Sequence, residues 1–144
     1  MAVQSRADAT WQGDLQSGKG TVKPASGSFG EQTVTWQQRS ADRSKGTSPE
    51  ELLAAAHAAC FSMALANALT QAGHAPERLD ATAAVDFQGG QGITGITLSV
   101  RGKVPGMDDQ AFRSAAENAK ANCPVSKALT GVPIKLEVGE LAAV

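Results

Sequence analysis

The 144-residue chain contains two cysteines in very different surroundings. Cys60 lies in the apolar segment AAAHAACFSMAL, residues 54–65, with His57 three positions earlier. Three positions in a helix bring two side chains onto one face. The two residues could therefore act as nucleophile and base, or as two metal ligands. Cys123 lies in ANCPV, directly before Pro124. The start of a helix favours a thiolate, so local physics makes Cys123 the more acidic of the two thiols.

Each of these residues also has a purely structural interpretation. Cysteine is among the most often buried residue types, and burial beside Ala and Leu raises a thiol pKa. Cys60 therefore needs a cation or a strong hydrogen-bond donor nearby to react. His57 could simply bond a backbone carbonyl across a helix contact. A metal site formed by His57, Cys60 and Cys123 is a weaker alternative, because no His-x-x-x-His or Cys-x-x-Cys spacing supports it.

Composition narrows the class of protein. The net charge is −1 and no basic block occurs, so the chain is not expected to bind nucleic acid. The opening segment lacks the apolar core of a signal peptide, and the Ala-dominated stretch 52–69 contains His57, Ser62 and Asn67. We expect a buried helix there rather than a membrane span. Two cysteines without a secretory signal indicate a reducing compartment, hence a cytoplasmic protein.

The clearest local signal is a long helix that would carry Cys60. Ser48 can cap its first turn, Pro49 suits the first helical position, and Glu51 completes a Ser-x-x-Glu capping box. Gly73 is typical of the residue just past a helix end. The sequence therefore predicts one helix from Pro49 to Ala72, about 35 Å long at 1.5 Å per residue.

The remaining patterns predict short strands before this helix and a mixture of elements after it. Before it we expect two strands around the turn Ser17-Gly18, a third strand in EQTVTWQQR from Glu31, and a loop over 40–46. After it, alternation and helical spacing predict strands at 81–87 and 93–104 joined by QGGQG, a helix in DDQAFRSAAENAK, a short helix from Pro124 and a strand in VPIKLEV. His74 is expected in a loop. The prediction is a single α+β domain over residues 1–144.

Several of these motifs together resemble a known family. TSPEELLAAAHAACFSMAL with the distant NCPVSKAL resembles the OsmC/Ohr family of thiol peroxidases. The opening ATWQGDLQSGKGTV resembles its OsmC (osmotically inducible protein C) branch. The resemblance implies antiparallel sheets wrapped around a long central buried helix, in an intertwined homodimer. It implies reduction of organic hydroperoxides, and of hydrogen peroxide less well, without a cofactor or metal.

The same resemblance assigns roles to four residues. Cys60 would be the attacking thiolate and Cys123 the resolving thiol. The sulfenic acid of Cys60 would condense with Cys123 into a disulfide, which an external dithiol reduces. In relatives that dithiol is a lipoyl group. Arg39 would activate the thiolate and Glu50 would orient that arginine, with Arg43 as the alternative cation.

Helix geometry gives one further expectation. Ten helical residues separate Glu50 from Cys60 by about 15 Å, which one side chain cannot span. If both serve one site, Glu50 comes from a second chain across a two-fold axis. Phe61 and Met63 are candidates for an apolar lining that suits an alkyl tail. The alternative from another class is a non-catalytic stress-induced binding protein with the same fold, in which both cysteines only pack.

Overall fold

The architecture is known from a computed structural model that describes residues 1–143. Strands and helices follow one another in the predicted α+β pattern. In chain order they are β1 (Ala7–Gln12), β2 (Lys19–Pro24), β3 (Gln32–Val34), α1 (Trp36–Ser40), α2 (Pro49–Gln71), β4 (Arg78–Gln88), β5 (Gly92–Lys103), α3 (Asp109–Asn122), α4 (Pro124–Ala128) and β6 (Ile134–Val138). The chain divides into two compact units, Met1–Leu52 and Leu53–Val144. The expectation of one domain stays a prediction.

The N-terminal unit is built on an antiparallel sheet in the order β1-β2-β3. The turn between β1 and β2 closes through a hydrogen bond of 2.9 Å from the Gly18 amide to the Asp14 carbonyl, as the predicted turn requires. The third predicted strand is correct only as far as Val34. The Thr35 hydroxyl accepts a bond of 3.0 Å from the Gln38 amide, which caps α1. Arg39 therefore lies on a short helix, not at the end of a strand.

The C-terminal unit contains a second sheet in the order β4-β5-β6. β4 and β5 form the predicted antiparallel hairpin, and Gly90 and Gly92 supply the positive φ angles, 83° and 89°, of its turn. β6 pairs parallel to β5, so this sheet is mixed rather than entirely antiparallel as expected. The reason is the connection: α3 and α4 form the long crossover that a parallel pair needs.

The long helix α2 begins and ends close to its predicted bounds. The Ser48 hydroxyl accepts a bond of 3.1 Å from the Glu51 amide, which is one half of the expected capping box. The Glu51 carboxylate accepts a bond of 2.6 Å from the Thr47 hydroxyl. At the other end Gly73 has φ 87°, and the His74 amide bonds the Leu69 carbonyl at 2.8 Å.

One stripe of α2 forms the core of the C-terminal unit. Phe61, Leu65 and Leu69 recur every four residues and are fully buried. They belong to one cluster with Leu98 of β5 and Phe112 of α3. By length and composition α2 could also cross a membrane, but core helices of soluble proteins pass the same test. Its buried stripe is the pattern of a core helix.

This core should dominate the free energy of unfolding. Leu65→Ala removes a fully buried side chain in the C-terminal half of α2 and should lower the free energy of unfolding by about 3 kcal/mol. Leu15→Ala is the matched control, because Leu15 is 54% exposed, and it should cost less than about 1 kcal/mol. Urea unfolding of both variants at one protein concentration gives the two values. Equal losses would contradict this description of the core.

Candidate functional site

The fold brings the two cysteines together. The Sγ atoms of Cys60 and Cys123 are 3.1 Å apart, and both residues are free thiols. Cys60 lies on α2, whereas Cys123 ends α3 and precedes Pro124 at the first position of α4. A disulfide needs about 2.05 Å between sulfurs, so a relative shift of about 1 Å would join them. The sequence predicted the two residues but could not place them side by side.

The two sulfurs differ in access and in acidity. Cys60 is half-buried, whereas Cys123 is fully buried. Burial raises the pKa of Cys60, and the neighbouring Cys123 thiol adds to this rise. Burial also opposes the Cys123 thiolate, but hydrogen bonds from the Ser126 amide and the Cys60 thiol outweigh it and lower the pKa of Cys123. The predicted order of acidity is therefore found.

This order has a chemical consequence. The sulfur that solvent can reach is the less acidic one, and the groups that shift its pKa include no cation. Cys123 in its thiolate form can accept a hydrogen bond from the Cys60 thiol across the 3.1 Å contact. A reactive Cys60 needs a positive charge that favours its thiolate, as the sequence argument required.

His57 has a partner that the sequence did not predict. Its ring is fully buried, and Nε2 lies 2.7 Å from the Oγ atom of Ser126. The expected bond to a backbone carbonyl is therefore replaced by a bond to a hydroxyl of α4. Burial lowers the pKa of His57, which keeps the ring neutral. A signal existed in NCPVS, where Ser126 follows Cys123 by one helical turn.

The alternative of a metal site finds no support in residues 1–143. No group of three His, Cys, Asp or Glu side chains there is placed to hold a metal ion. The imidazole Nε2 of His57 points to the Ser126 hydroxyl at 2.7 Å.

Arg39 and Glu50 form an ion pair within the N-terminal unit. Nε and Nη2 of Arg39 lie 2.9 Å and 2.8 Å from the same carboxylate oxygen, Oε1 of Glu50. The expected paired hydrogen bonds therefore converge on one oxygen instead of forming a fork. Glu50 is almost fully buried, and its Oε2 has no hydrogen-bond partner among the described residues. Arg43, the alternative cation, is exposed in the loop that follows α1.

Beside this ion pair the N-terminal unit contains an apolar cavity of about 380 Å³. No sequence motif predicted this cavity, although the only two tryptophans of the chain, Trp11 and Trp36, both occur in this region. The apolar lining expected from Phe61 is wrong, because Phe61 is a fully buried core residue. The cavity is lined by Trp11, Leu15, Val34, Thr35, Trp36, Arg39 and Pro49.

A second cavity, of about 450 Å³, lies in the C-terminal unit over the sheet β4-β5-β6. Its lining includes charged side chains, among them Asp80, Arg101 and Glu137, and neither cysteine. The four predicted site residues thus form two pairs, Cys60 with Cys123 in one unit and Arg39 with Glu50 in the other.

Comparison with known proteins identifies relatives along most of the chain. The family model described as OsmC-like protein matches residues 41–137. The chain is 44% identical over 132 residues to "Peroxiredoxin OsmC" of Escherichia coli (strain K12), covering 90% of this chain and 92% of that protein. It is 35% identical over 101 residues to "Organic hydroperoxide resistance protein OhrA" of Bacillus subtilis (strain 168), covering 67% and 70%.

Solved structures show the same fold. A crystal structure from Legionella pneumophila, described as an organic hydroperoxide resistance protein OsmC, superposes with a TM-score of 0.74 at 24% identity, covering 96% of this chain and 99% of that one. OhrB of Bacillus subtilis superposes with a TM-score of 0.68 at 26% identity, covering 93% and 98%. The matched motifs, the identity along the chain and the shared fold agree, and the chain belongs to the OsmC family.

Proposed function

We propose that this protein is a thiol peroxidase that reduces organic hydroperoxides to alcohols, and hydrogen peroxide less well. The observation that carries the proposal is a half-exposed cysteine whose sulfur lies 3.1 Å from that of a second, buried cysteine. Family membership and the names of the relatives, a peroxiredoxin and organic hydroperoxide resistance proteins, support a peroxide-related redox role and thiol peroxidase activity.

The proposed reaction uses both sulfurs in turn. The Cys60 thiolate attacks the terminal oxygen of the hydroperoxide, the O–O bond breaks, and the departing alkoxide takes a proton to give the alcohol. Cys60 is then a sulfenic acid. Cys123 attacks that sulfur, the S–O bond breaks, and water leaves as the disulfide forms. An external dithiol, by resemblance a lipoyl group, exchanges with the disulfide and restores both thiols.

The peroxide-reactive form of Cys60 requires a cation, and Arg39 is the proposed one. A guanidinium beside the sulfur would reverse the effect of burial on its pKa and would stabilise charge on the departing alkoxide. Glu50 holds the Arg39 side chain through two contacts below 3 Å, at 2.9 and 2.8 Å. Because these two residues bind each other, they would act as one unit.

We infer that this unit serves Cys60 of a second copy of the chain. Within α2, Glu50 and Cys60 are ten residues apart, or about 15 Å along the axis. The face of α2 opposite the core is apolar and exposed, with Met63 71% exposed beside Ala55 and Ala59. An antiparallel copy of α2 on this small-residue face would cover it and create two equivalent sites in a homodimer. The apolar cavity with Trp11 and Trp36 suits an alkyl group.

The proposed setting is the cytoplasm, where a dithiol reductant is present and both cysteines stay reduced between turnovers. Neither nucleic acid nor a membrane is a proposed partner. The observation that favours the non-catalytic alternative is the raised pKa of Cys60, because burial would raise the pKa of an inert thiol in the same way. The cysteine variants below separate the two.

The first test concerns the two sulfurs. Cys60→Ser should abolish rapid consumption of cumene hydroperoxide by the reduced protein, because the only thiol left, Cys123, is fully buried. Cys123→Ser should still consume one equivalent and should accumulate a sulfenic acid that dimedone traps, because the resolving thiol is gone. Rapid-mixing peroxide assays with mass spectrometry measure both. Unchanged consumption by Cys60→Ser would rule out the proposed chemistry.

The second test concerns the shared site. Arg39→Met should lower activity by about a hundredfold, because the charge that stabilises thiolate and alkoxide is lost. Dimers of Arg39→Met alone or of Cys60→Ser alone should both be inactive. A mixed dimer of the two contains one site with an intact cysteine and an intact partner arginine, and should recover about half of the wild-type activity. Mixed dimers that stay inactive would show that each chain completes its own site.

A further inference from the structure

The buried pair His57 and Ser126 is not used by the reaction described above. Both side chains are almost inaccessible, at 0% and 4% exposure, and Nε2 of the imidazole lies 2.7 Å from the hydroxyl oxygen. Ser126 lies one helical turn after Cys123, which precedes the first residue of α4, and the amide and hydroxyl of Ser126 act to lower the pKa of Cys123. His57, Ser126, Cys123 and Cys60 therefore follow one another as a chain of polar groups from α2 through α4 and back to α2. It has two close contacts, at 2.7 Å and 3.1 Å, with one helical turn of α4 between Cys123 and Ser126.

The direction of this chain follows from which atoms have partners. Burial keeps the His57 ring neutral, so it carries a single N–H. Nδ1 of His57 is buried without a partner among the described residues, and an orphaned buried N–H is rarer than an orphaned acceptor. The proton therefore belongs on Nε2, which donates to the Ser126 oxygen. The Ser126 hydroxyl is then free to donate its own proton to the Cys123 sulfur.

We propose that His57 and Ser126 are positioning residues that favour the thiolate form of Cys123 by this chain of donors, and so set the rate of the resolving step. This inference rests on the proposed peroxidase function. A thiolate accepts hydrogen bonds and cannot donate one, and bonds to a charged acceptor are stronger than neutral ones. A neutral donor chain suits a dry pocket better than a buried cation, since His57 need never become charged.

The two chemical steps at Cys123 both use its anionic form. In resolution the Cys123 thiolate attacks the sulfenic sulfur of Cys60, the S–S bond forms, the S–O bond breaks, and hydroxide leaves and is protonated to water. In recycling the dithiol reductant attacks the half-exposed Cys60 sulfur, the S–S bond breaks, and Cys123 leaves as a thiolate. A more stable leaving thiolate directs this attack to Cys60.

The groups that face Cys123 in the described residues are few. The pKa of Cys123 is affected by burial, by the amides of Ser126 and Val125, by the Ser126 hydroxyl and by the Cys60 thiol. None of these carries a formal charge. Removing the Ser126 hydroxyl therefore removes one of the few groups that favour the anion, without altering an ion pair.

A first experiment reads the ionisation of Cys123 without any peroxide. In a Cys60→Ser background Cys123 is the only thiol of the chain, so the ultraviolet absorbance of the thiolate reports its titration with pH. Adding Ser126→Ala or His57→Phe should move this titration to higher pH. Ser126→Thr keeps a hydroxyl and His57→Gln keeps an N–H donor, so both should leave it near its original position. Ser114→Ala, at an exposed serine of α3, is the control.

A second experiment follows one turnover of the reduced, otherwise unaltered protein with one equivalent of cumene hydroperoxide, quenched at successive times and analysed by mass spectrometry. Sulfenic acid formation should be within about twofold of wild type in all variants. Disulfide formation near neutral pH should slow by about tenfold in Ser126→Ala and His57→Phe, and should recover at higher pH where the thiol ionises unaided.

The outcomes are distinguishable. Unshifted titration and unshifted disulfide formation in Ser126→Ala would overturn the inference while leaving the peroxidase intact. If the Cys123 titration moved to higher pH in His57→Gln as it does in His57→Phe, the donor chain would be overturned. Glutamine can donate a hydrogen bond but cannot act as a base. No sulfenic acid in wild type would overturn the proposed function itself, whereas the titration in the Cys60→Ser background would still report on His57 and Ser126.

Discussion

The proposed chemistry depends on a contact of 3.1 Å between two sulfur atoms, one half-exposed and one fully buried. Cys60 comes from the middle of α2, and Cys123 from the junction of α3 and α4. Phe61, the neighbour of Cys60 on α2, belongs to the same buried cluster as Phe112 and Cys123, so the packing of this core keeps the two sulfurs close together.

The surroundings of the two sulfurs shift the pKa values of the two thiols in opposite directions. The buried thiol is stabilised as an anion by neutral donors, while burial and its neighbour make the exposed thiol less acidic. The catalytic proposal reverses this order at the moment of reaction, because the guanidinium of Arg39 would favour the thiolate of Cys60. Glu50 is buried, and one of its carboxylate oxygens binds Arg39 while the other lacks a hydrogen-bond partner in residues 1–143. The N-terminal unit thus contains the Arg39–Glu50 ion pair of the proposed site, and the C-terminal unit contains its two cysteines.

The sequence predicted elements well where local chemistry decides structure. Ser48, Pro49 and Gly73 gave the bounds of α2 because caps act within one helical turn. The prediction from sequence failed at Trp36–Ser40. Residues with high strand propensity lie before and at the start of this segment, yet it forms a short helix that Thr35 caps. The parallel pairing of β6 could not be predicted, because strand order depends on contacts far apart in sequence.

The candidate site, like the fold, could be predicted only where local sequence motifs were sufficient. Residue types and local motifs pointed to both cysteines, while the family resemblance pointed to Arg39 and Glu50 and gave the roles of all four residues. Ser126 was missed because its importance arises only when α4 packs beside His57, and the cavity at Trp11 and Trp36 arises only when strand and helix meet. Local sequence patterns could not predict the distances between residues that lie far apart along the chain.

The most direct test of the central claim is a count of thiols in the fully reduced protein after one equivalent of cumene hydroperoxide. Peptide mapping without reduction then identifies any linked peptides. The account predicts loss of both thiols together and a single cross-link between the peptides that contain Cys60 and Cys123. Two thiols that survive the peroxide unchanged would contradict it, and the pair would then be a packing contact within a folded but passive protein.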